Sequence, residues 1–232
     1  MKKLSLAVVL ILAAGLVQTA AALTIQLSTE FSGGTSPSGS PPWVTVVATD
    51  VSGGVNLTLT NSNLTGTEFV SEIYLNLTSS LLGTLSFTNP VKTGTFALPT
   101  VATSSGPTEF KADGDGYFDL RIAFATDSVN RFGAGESLSY LVTSSGAGFN
   151  ANSFNLQSES GGGNGSWTAA AHVQAIGPND GSGWIGGNPT GVPEAGSTVS
   201  LLGLALLGLR ILGRRPVAGG TSRAALVAGW EW

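Results

Sequence analysis

Three aspartates stand close together in the segment DGDGYFD: Asp113, Asp115 and Asp119. Oxygen ligands on a tight glycine turn are the kind that calcium prefers. The segment lacks the longer loop and the terminal bidentate glutamate of an EF-hand, and Asp and Gly are also ordinary turn residues. Alternation with Phe118 and Leu120 predicts that Asp119 faces water. We therefore expect an acidic turn, with a calcium site as the alternative and no other cofactor.

His172 is the only histidine of the chain and lies in the strand-like segment WTAAAHVQAI. It shares a predicted face with Thr168 and Gln174. A catalytic base needs a nucleophile within hydrogen-bond reach, and no G-x-S-x-G elbow is present in the sequence. A single histidine also cannot build a multi-histidine metal site. We expect His172 to be an ordinary residue on the polar face of a strand.

Glu68 and Glu72 are the closest approach to the paired carboxylates of a glycoside hydrolase. Residues four apart on one extended strand lie about 13 Å from each other, which is too far for such a pair. We interpret both as solvated side chains. The sequence thus predicts no catalytic residue and no enzymatic activity, with a polysaccharide hydrolase as the weakest alternative.

Trp43, Trp167 and Trp184 raise the alternative of glycan binding, because exposed aromatic rings stack on the apolar faces of sugars. Burial is the commoner fate of large aromatic side chains. The sequence leaves both interpretations open for these rings.

Most of the chain alternates apolar and polar residues with a period of two, the pattern of strands with one buried face. No stretch before Thr198 shows a helical stripe. Thr- and Val-rich strands between Gly, Pro, Ser and Asn turns predict an all-β fold, an antiparallel β-sandwich. The predicted strands are 23–28, 43–49, 55–60, 72–77, 83–88, 118–124, 137–143 and 167–176.

The strands define a domain over residues 23–176, which is long enough to bury a substantial core. Residues 34–43, GTSPSGSPPW, are too rich in Pro and Ser for regular structure and predict a loop. Residues 177–191 contain turn formers throughout, so we interpret them as a Gly-rich spacer after the domain.

Charge and cysteine content exclude several classes of protein. Residues 23–191 hold four basic and twelve acidic side chains, a net charge near −8, which opposes nucleic-acid binding. The chain has no cysteine, which excludes disulfides, thiol nucleophiles and thiolate metal sites. The absence of cysteine also suits a protein exported from a bacterial cytoplasm.

The first 22 residues have the layout of a secretory signal peptide, with an N-terminal signal helix expected. Lys2 and Lys3 precede an apolar stretch, and the small residues at Ala20 and Ala22 form an A-x-A cleavage site. About 14 apolar residues are too few to span a membrane comfortably. We expect export by the Sec machinery and cleavage after Ala22.

Residues 192–215, VPEAGSTVSLLGLALLGLRILGRR, combine a short polar start, a Leu- and Gly-rich stretch and arginines. The leucines surround the predicted helix instead of forming one stripe, which favours lipid over a one-sided core. Under the positive-inside rule, Arg210, Arg214 and Arg215 would mark the cytoplasmic side of the inner membrane. This stretch predicts a short C-terminal hydrophobic helix that stops transfer.

The same residues resemble the C-terminal sorting signal of bacterial PEP-CTERM proteins, in which Val192, Pro193 and Glu194 occupy the Pro-Glu-Pro-like motif. The stretches AAAHVQAIGPNDGSGWIGG and DGDGYFDLRIAF are also similar to segments of that group. The resemblance implies recognition by an exosortase, a membrane-embedded cysteine protease-transpeptidase, in a Gram-negative envelope and a biofilm or exopolysaccharide context. Ala195 replaces the usual second proline, Arg210 interrupts the apolar stretch, and residues 216–232 form an atypical extension.

Together these features predict an exported, non-enzymatic protein of the cell envelope or extracellular matrix. The expected partners are an exosortase, the export machinery, the inner membrane and exopolysaccharide. A glycan-binding module of the matrix is the alternative from a different functional class.

Overall fold

The computed structural model describes residues 21–104, 109–113, 116–127, 129–161, 163 and 165–190. These residues form antiparallel strands joined by loops and three short 3-10 turns, Ser79–Leu81, Ala151–Phe154 and Gly177–Asn179. The strands are β1 (Ala22–Glu30), β2 (Val44–Val51), β3 (Gly54–Thr60), β4 (Phe69–Leu75), β5 (Leu85–Thr93), β6 (Thr100–Thr103), β7 (Phe110–Lys111), β8 (Tyr117–Phe118), β9 (Leu120–Ala123), β10 (Phe132–Gly133), β11 (Ser137–Ser144), β12 (Ala169–Ile176) and β13 (Gly181–Pro189).

Eleven of these strands belong to one sheet, in the order β5-β11-β3-β2-β1-β13-β12-β4-β9-β6, with β10 paired to β4. Strands β7 and β8 form a separate two-stranded sheet. The predicted all-β, antiparallel class is confirmed. The strands curl into a nearly closed, barrel-like arrangement instead of the two separate sheets that a sandwich implies. The two predicted helices fall outside the described residues.

The inner face of the curled sheet holds the main core. The alternation predicted from the sequence is realised in β1, β2 and β3, where every second residue is buried. Three phenylalanines from separate segments, Phe96, Phe124 and Phe132, pack together, with Phe124 and Phe132 stacked at 4.4 Å between ring centroids. Because Phe96 follows β5 and Phe124 follows β9, this contact joins segments from near the two free edges of the sheet.

A second, smaller apolar cluster lies on the outer face of the sheet, in contact with the β7–β8 hairpin. Its buried members are Phe31, Tyr74, Ala112, Phe118, Ala170 and Trp184. Tyr74 and Trp184 come from the sheet, whereas Ala112 and Phe118 come from the hairpin and its turn. The β7–β8 hairpin therefore covers part of the outer face and excludes water from it.

The interpretation of residues 177–191 as a spacer is wrong, because β13 lies in the middle of the sheet between β1 and β12. Glycine occurs in a central strand where another group approaches the backbone closely. A Cβ on Gly187 would lie 2.1 Å from the Gln26 carbonyl oxygen, and one on Gly186 would lie 2.5 Å from the Trp167 ring. The folded domain thus continues to at least Pro189, whereas 34–43 is a loop as predicted.

Within the described part of the chain, no helix has the length and apolar content needed to cross a membrane. The predicted signal peptide and sorting helix lie elsewhere in the sequence.

Replacing Gly187 with alanine tests whether β13 is packed this closely. The new methyl group would meet backbone, which cannot move aside without displacing β1, so we expect the free energy of unfolding to fall by about 1–3 kcal/mol or more. Urea denaturation measures the change. Gly133→Ala is the matched control, because its Cβ would find its nearest neighbour at 3.8 Å. Equal stability of the two variants would contradict the packing of β13.

Candidate functional site

Asp113 and Asp119, the described members of the predicted calcium group, lie on either side of the β8 strand. The Asp119 carboxylate accepts a hydrogen bond from the Leu77 backbone N–H at 3.1 Å. The side chain therefore contacts the segment after β4 as well as water. Asp113 is exposed, and Asp115 is outside the described residues. No three His, Asp or Glu side chains cluster for a metal ion among the residues that the structure describes. The calcium site stays a prediction.

Two of the three tryptophans proposed as sugar platforms are buried. Trp43 is 6% exposed and its indole N–H donates to the Gly39 carbonyl, and Trp184 is 7% exposed. Trp167 is half-buried and stacks on Phe31 at 5.5 Å between centroids. The burial interpretation is therefore confirmed for Trp43 and Trp184, which offer no open ring for a glycan.

His172 lies on the outer face of the sheet, opposite its core-facing neighbours Ala171 and Val173, as predicted. Its ring stacks on Trp184 at 4.9 Å and 16°. Burial lowers the pKa of His172, an effect that the negative charges of Glu72 and Asp113 partly oppose. The neutral imidazole is thus favoured in the folded protein.

No local pattern indicated that Ser71 would pair with His172. The Ser71 hydroxyl lies 3.0 Å from His172 Nδ1, and it also contacts the His172 carbonyl and the Gln174 amide. The β12–β4 ladder contains a bulge: His172 pairs with Glu72, and the next residue, Val173, pairs with Val70. Ser71 therefore has no partner on β12 in this ladder. Ser71 is only 4% exposed, and its hydroxyl links β4 to β12.

Glu68 and Glu72 have separate structural roles. Glu68 is 3% exposed, and its carboxylate accepts hydrogen bonds from the backbone N–H groups of Ser38 and Thr65. It therefore holds two loops together, and the prediction that it is solvated is wrong. Glu72 accepts hydrogen bonds from Arg121 and from the Tyr74 hydroxyl. Burial, followed by the hydrogen bond to Glu72, raises the pKa of Tyr74. The two glutamates thus bind different partners in the described structure.

A surface groove opens next to β8 and encloses about 340 Å³. We call it the Tyr117 groove. It is lined by polar and apolar residues, which are Asn76, Leu77, Thr78, Ser79, Leu82, Tyr117, Asp119, Leu156, Gln157 and Glu159. These residues come from three separate segments: the first follows β4, the second includes β8, and the third precedes β12. None of the described lining residues is basic.

Backbone hydrogen bonds hold the walls of the groove together. Tyr117 and Glu159 form an isolated antiparallel bridge, with Tyr117 N–H donating to the Glu159 carbonyl at 2.8 Å. Asp119 N–H donates to the Leu75 carbonyl at 3.1 Å. Partners directly opposite in an antiparallel bridge share a face, so the side chains of Tyr117 and Glu159 lie on one side. Asp119, in the bend that follows β8, lines the same groove.

The residues of the predicted sorting signal, Val192, Pro193, Glu194, Arg210, Arg214 and Arg215, lie outside the described residues, as does Ala20 of the signal cleavage site. Ala22 is the first residue of β1, where it pairs with Thr49. Ala21 is described as well, and its carbonyl accepts the Asp50 N–H at 2.9 Å.

The fold and the groove define an antiparallel all-β domain with a surface groove lined by polar and apolar residues. No protein-family model matches the chain, and neither a curated protein nor a solved structure matches it.

The single histidine gives a clean pH test of the outer-face cluster. Because the pKa of His172 is lower in the folded state, the unfolded chain takes up the proton first as the pH falls through about 6.5. We expect the melting temperature to fall between about pH 7.5 and pH 5.5, where carboxylates contribute little. His172→Gln should show a smaller fall, and a fall as large as that of the unaltered protein would exclude His172 as its source.

Proposed function

We propose that the chain is an exported, non-enzymatic protein of the cell envelope or extracellular matrix, delivered by a signal segment at each end. The observation that carries this proposal is the adjacency of the two ends of the folded domain. β1 pairs with β13 antiparallel, Ile25 opposite Pro189, and Thr190 N–H donates to the Thr24 carbonyl at 3.1 Å. Both ends of the described domain therefore leave the sheet at the same side.

This adjacency fits delivery through a membrane. A domain whose ends emerge together keeps one face toward the bilayer, whether residues 1–22 or residues 198–215 hold it there. The opposite faces remain free for the matrix. The acidic body supports this context as well, because it disfavours nucleic acid as a partner.

The position of Ala22 sets the order of events. In the folded domain the peptide bond after Ala22 lies within β1, where Ala22 pairs with Thr49 of β2. A protease can bind this peptide bond only when its backbone N–H and C=O groups are not paired with β2. Signal cleavage therefore precedes the pairing of β1 with β2, which is the order expected during export.

The tail completes the proposed mechanism. Residues 198–215 arrest the chain in the inner membrane, and an exosortase-type protease-transpeptidase then acts near Pro193 and Glu194. Exopolysaccharide is the proposed surrounding of the released domain. The burial of Ser71 supports a non-enzymatic role, because a nucleophile has to reach its substrate.

Deleting residues 198–215 tests the delivery step. Without the apolar segment nothing holds the exported domain at the bilayer, so we expect it to move from the membrane fraction to the culture medium, measured by fractionation and immunoblotting. Deletion of residues 216–232 is the matched control and should leave the membrane-bound fraction unchanged. An unaltered distribution after loss of residues 198–215 would refute the delivery mechanism.

A further inference from the structure

The Tyr117 groove has the size and the composition of a small-ligand site. Its volume of about 340 Å³ lies within the range typical of such sites, roughly 300–1,000 Å³. The carboxylates of Asp119 and Glu159 line it together with the amide groups of Asn76 and Gln157. Polar groups of this kind fix the orientation of a ligand and give it specificity.

The charge of the groove determines which ligands it favours. Two carboxylates and no described basic residue line it, so it repels phosphates, sulfates and carboxylates. Lys111 lies over the Tyr117 ring, 5.4 Å from its centroid, but is not one of the lining residues. Ionised carboxylates only accept hydrogen bonds, whereas amides both donate and accept. A ligand with several hydroxyl groups and no acid group satisfies this set.

Asn76 contributes one of the two amide groups in the lining of the groove. It is 3% exposed, and its side-chain N–H donates to the Trp167 carbonyl at 3.4 Å. No described residue donates a hydrogen bond to its side-chain oxygen. This oxygen is not one of the fully buried side-chain atoms that lack a partner, so it keeps some exposure to solvent. A donor on a molecule in the groove would form a hydrogen bond with it.

The groove also offers apolar surface beside its polar groups. Tyr117 contributes a half-buried ring, and Leu156 is 40% exposed at the rim. A pyranose has the same mixed character, with C–H groups on its faces and hydroxyls around its edge. Aromatic rings pack against the C–H faces of the sugar, and carboxylates and amides form hydrogen bonds with its hydroxyls.

We propose that the Tyr117 groove binds a sugar residue that carries free hydroxyls and no acid group. Asp119 and Glu159 accept hydroxyl protons, Asn76 and Gln157 bind further hydroxyls, and Tyr117 packs against the ring. This site differs from the tryptophans Trp43 and Trp184, which are buried. The assignment goes beyond the proposed delivery and does not depend on it.

The walls of the groove are in place before a ligand arrives. The Tyr117–Glu159 bridge fixes two lining residues, and the Leu77 N–H holds the Asp119 carboxylate at 3.1 Å. Asp119 uses one carboxylate oxygen for that contact, which leaves the other for a ligand. A preformed site loses little conformational entropy on binding.

The test is binding of the purified full chain to neutral gluco-, manno- and galacto-oligosaccharides and to oligo-uronates, measured by titration calorimetry. We expect binding to at least one neutral series and none to the uronates. Glu159→Gln should weaken this binding about tenfold, the effect of losing one hydrogen bond to a charged group. Tyr117→Ala should weaken it at least as much.

Asp180→Asn is the matched control, since it removes one negative charge in the turn before β13, away from the groove lining, and should bind as the unaltered chain does. Glu159 is exposed, and its side chain forms no hydrogen bond or ion pair with another described residue. Glu159→Gln is therefore expected to fold normally. Absence of binding to every neutral series, tighter binding of uronates, or equal binding by Glu159→Gln and the unaltered chain would each overturn the proposal.

Two further outcomes separate this site from other functions. A calcium-dependent rise in melting temperature that chelator reverses, without saccharide binding, would assign the groove to a cation and overturn the sugar site. Release of reducing sugar that Glu159→Gln abolishes would support the sugar site and overturn the non-enzymatic function. Fractionation of the deletion lacking residues 198–215 reports on delivery separately from either result.

Discussion

The close packing of β13 against its neighbours is the constraint on which the rest of the structure depends. The sheet order places β5, β11, β3, β2 and β1 on one side of this strand and β12, β4, β9 and β6 on the other. Among the described strands, β13 alone joins the two halves, through ladder hydrogen bonds to β1 and β12. Its glycines let the Gln26 carbonyl, the Thr35 backbone and the Trp167 ring approach to distances that any side chain would prevent.

The candidate site is a consequence of that packing. Gly186 leaves room for Trp167, whose backbone carbonyl in turn accepts the Asn76 side chain and the Ser158 N–H. Ser158 lies in the segment that forms one wall of the Tyr117 groove. Trp184 of the same strand packs between His172 and Tyr74, with 4.9 Å between centroids in each pair. The outer-face cluster and the groove are therefore two products of one glycine-rich strand.

The sequence allowed the core strands to be predicted but not the groove. A period of two identified β1, β2, β3, β11 and β12, because burial of one face imposes that period whatever the strand order. β13 escaped, since the glycines that its close packing requires are also typical of a spacer; Trp184 and Ile185 were the only local sign of a strand. The groove unites residues near positions 76, 117 and 157, and no local pattern reports such a long-range meeting. The prediction that Glu68 is solvated was wrong for the same reason, because its partner Ser38 lies in a loop 30 residues away.

The position of β13 at the end of the domain also constrains assembly. β1, β2 and β3 follow one another in the sequence and pair as neighbours, so they can form a meander early. β1 and β13 pair across most of the domain, which carries the entropic cost of closing a long loop, and they cannot pair before Pro189 is available. For a chain that crosses a membrane from its N-terminus, the two halves of the sheet then join only after the domain has almost fully emerged. The proposed cleavage after Ala22 has a shorter interval, because Ala22 pairs with Thr49 of β2 and the β1–β2 pair can form early. A cleavage site inside the first strand is therefore compatible with the closed sheet when the protease acts before β2 pairs with β1.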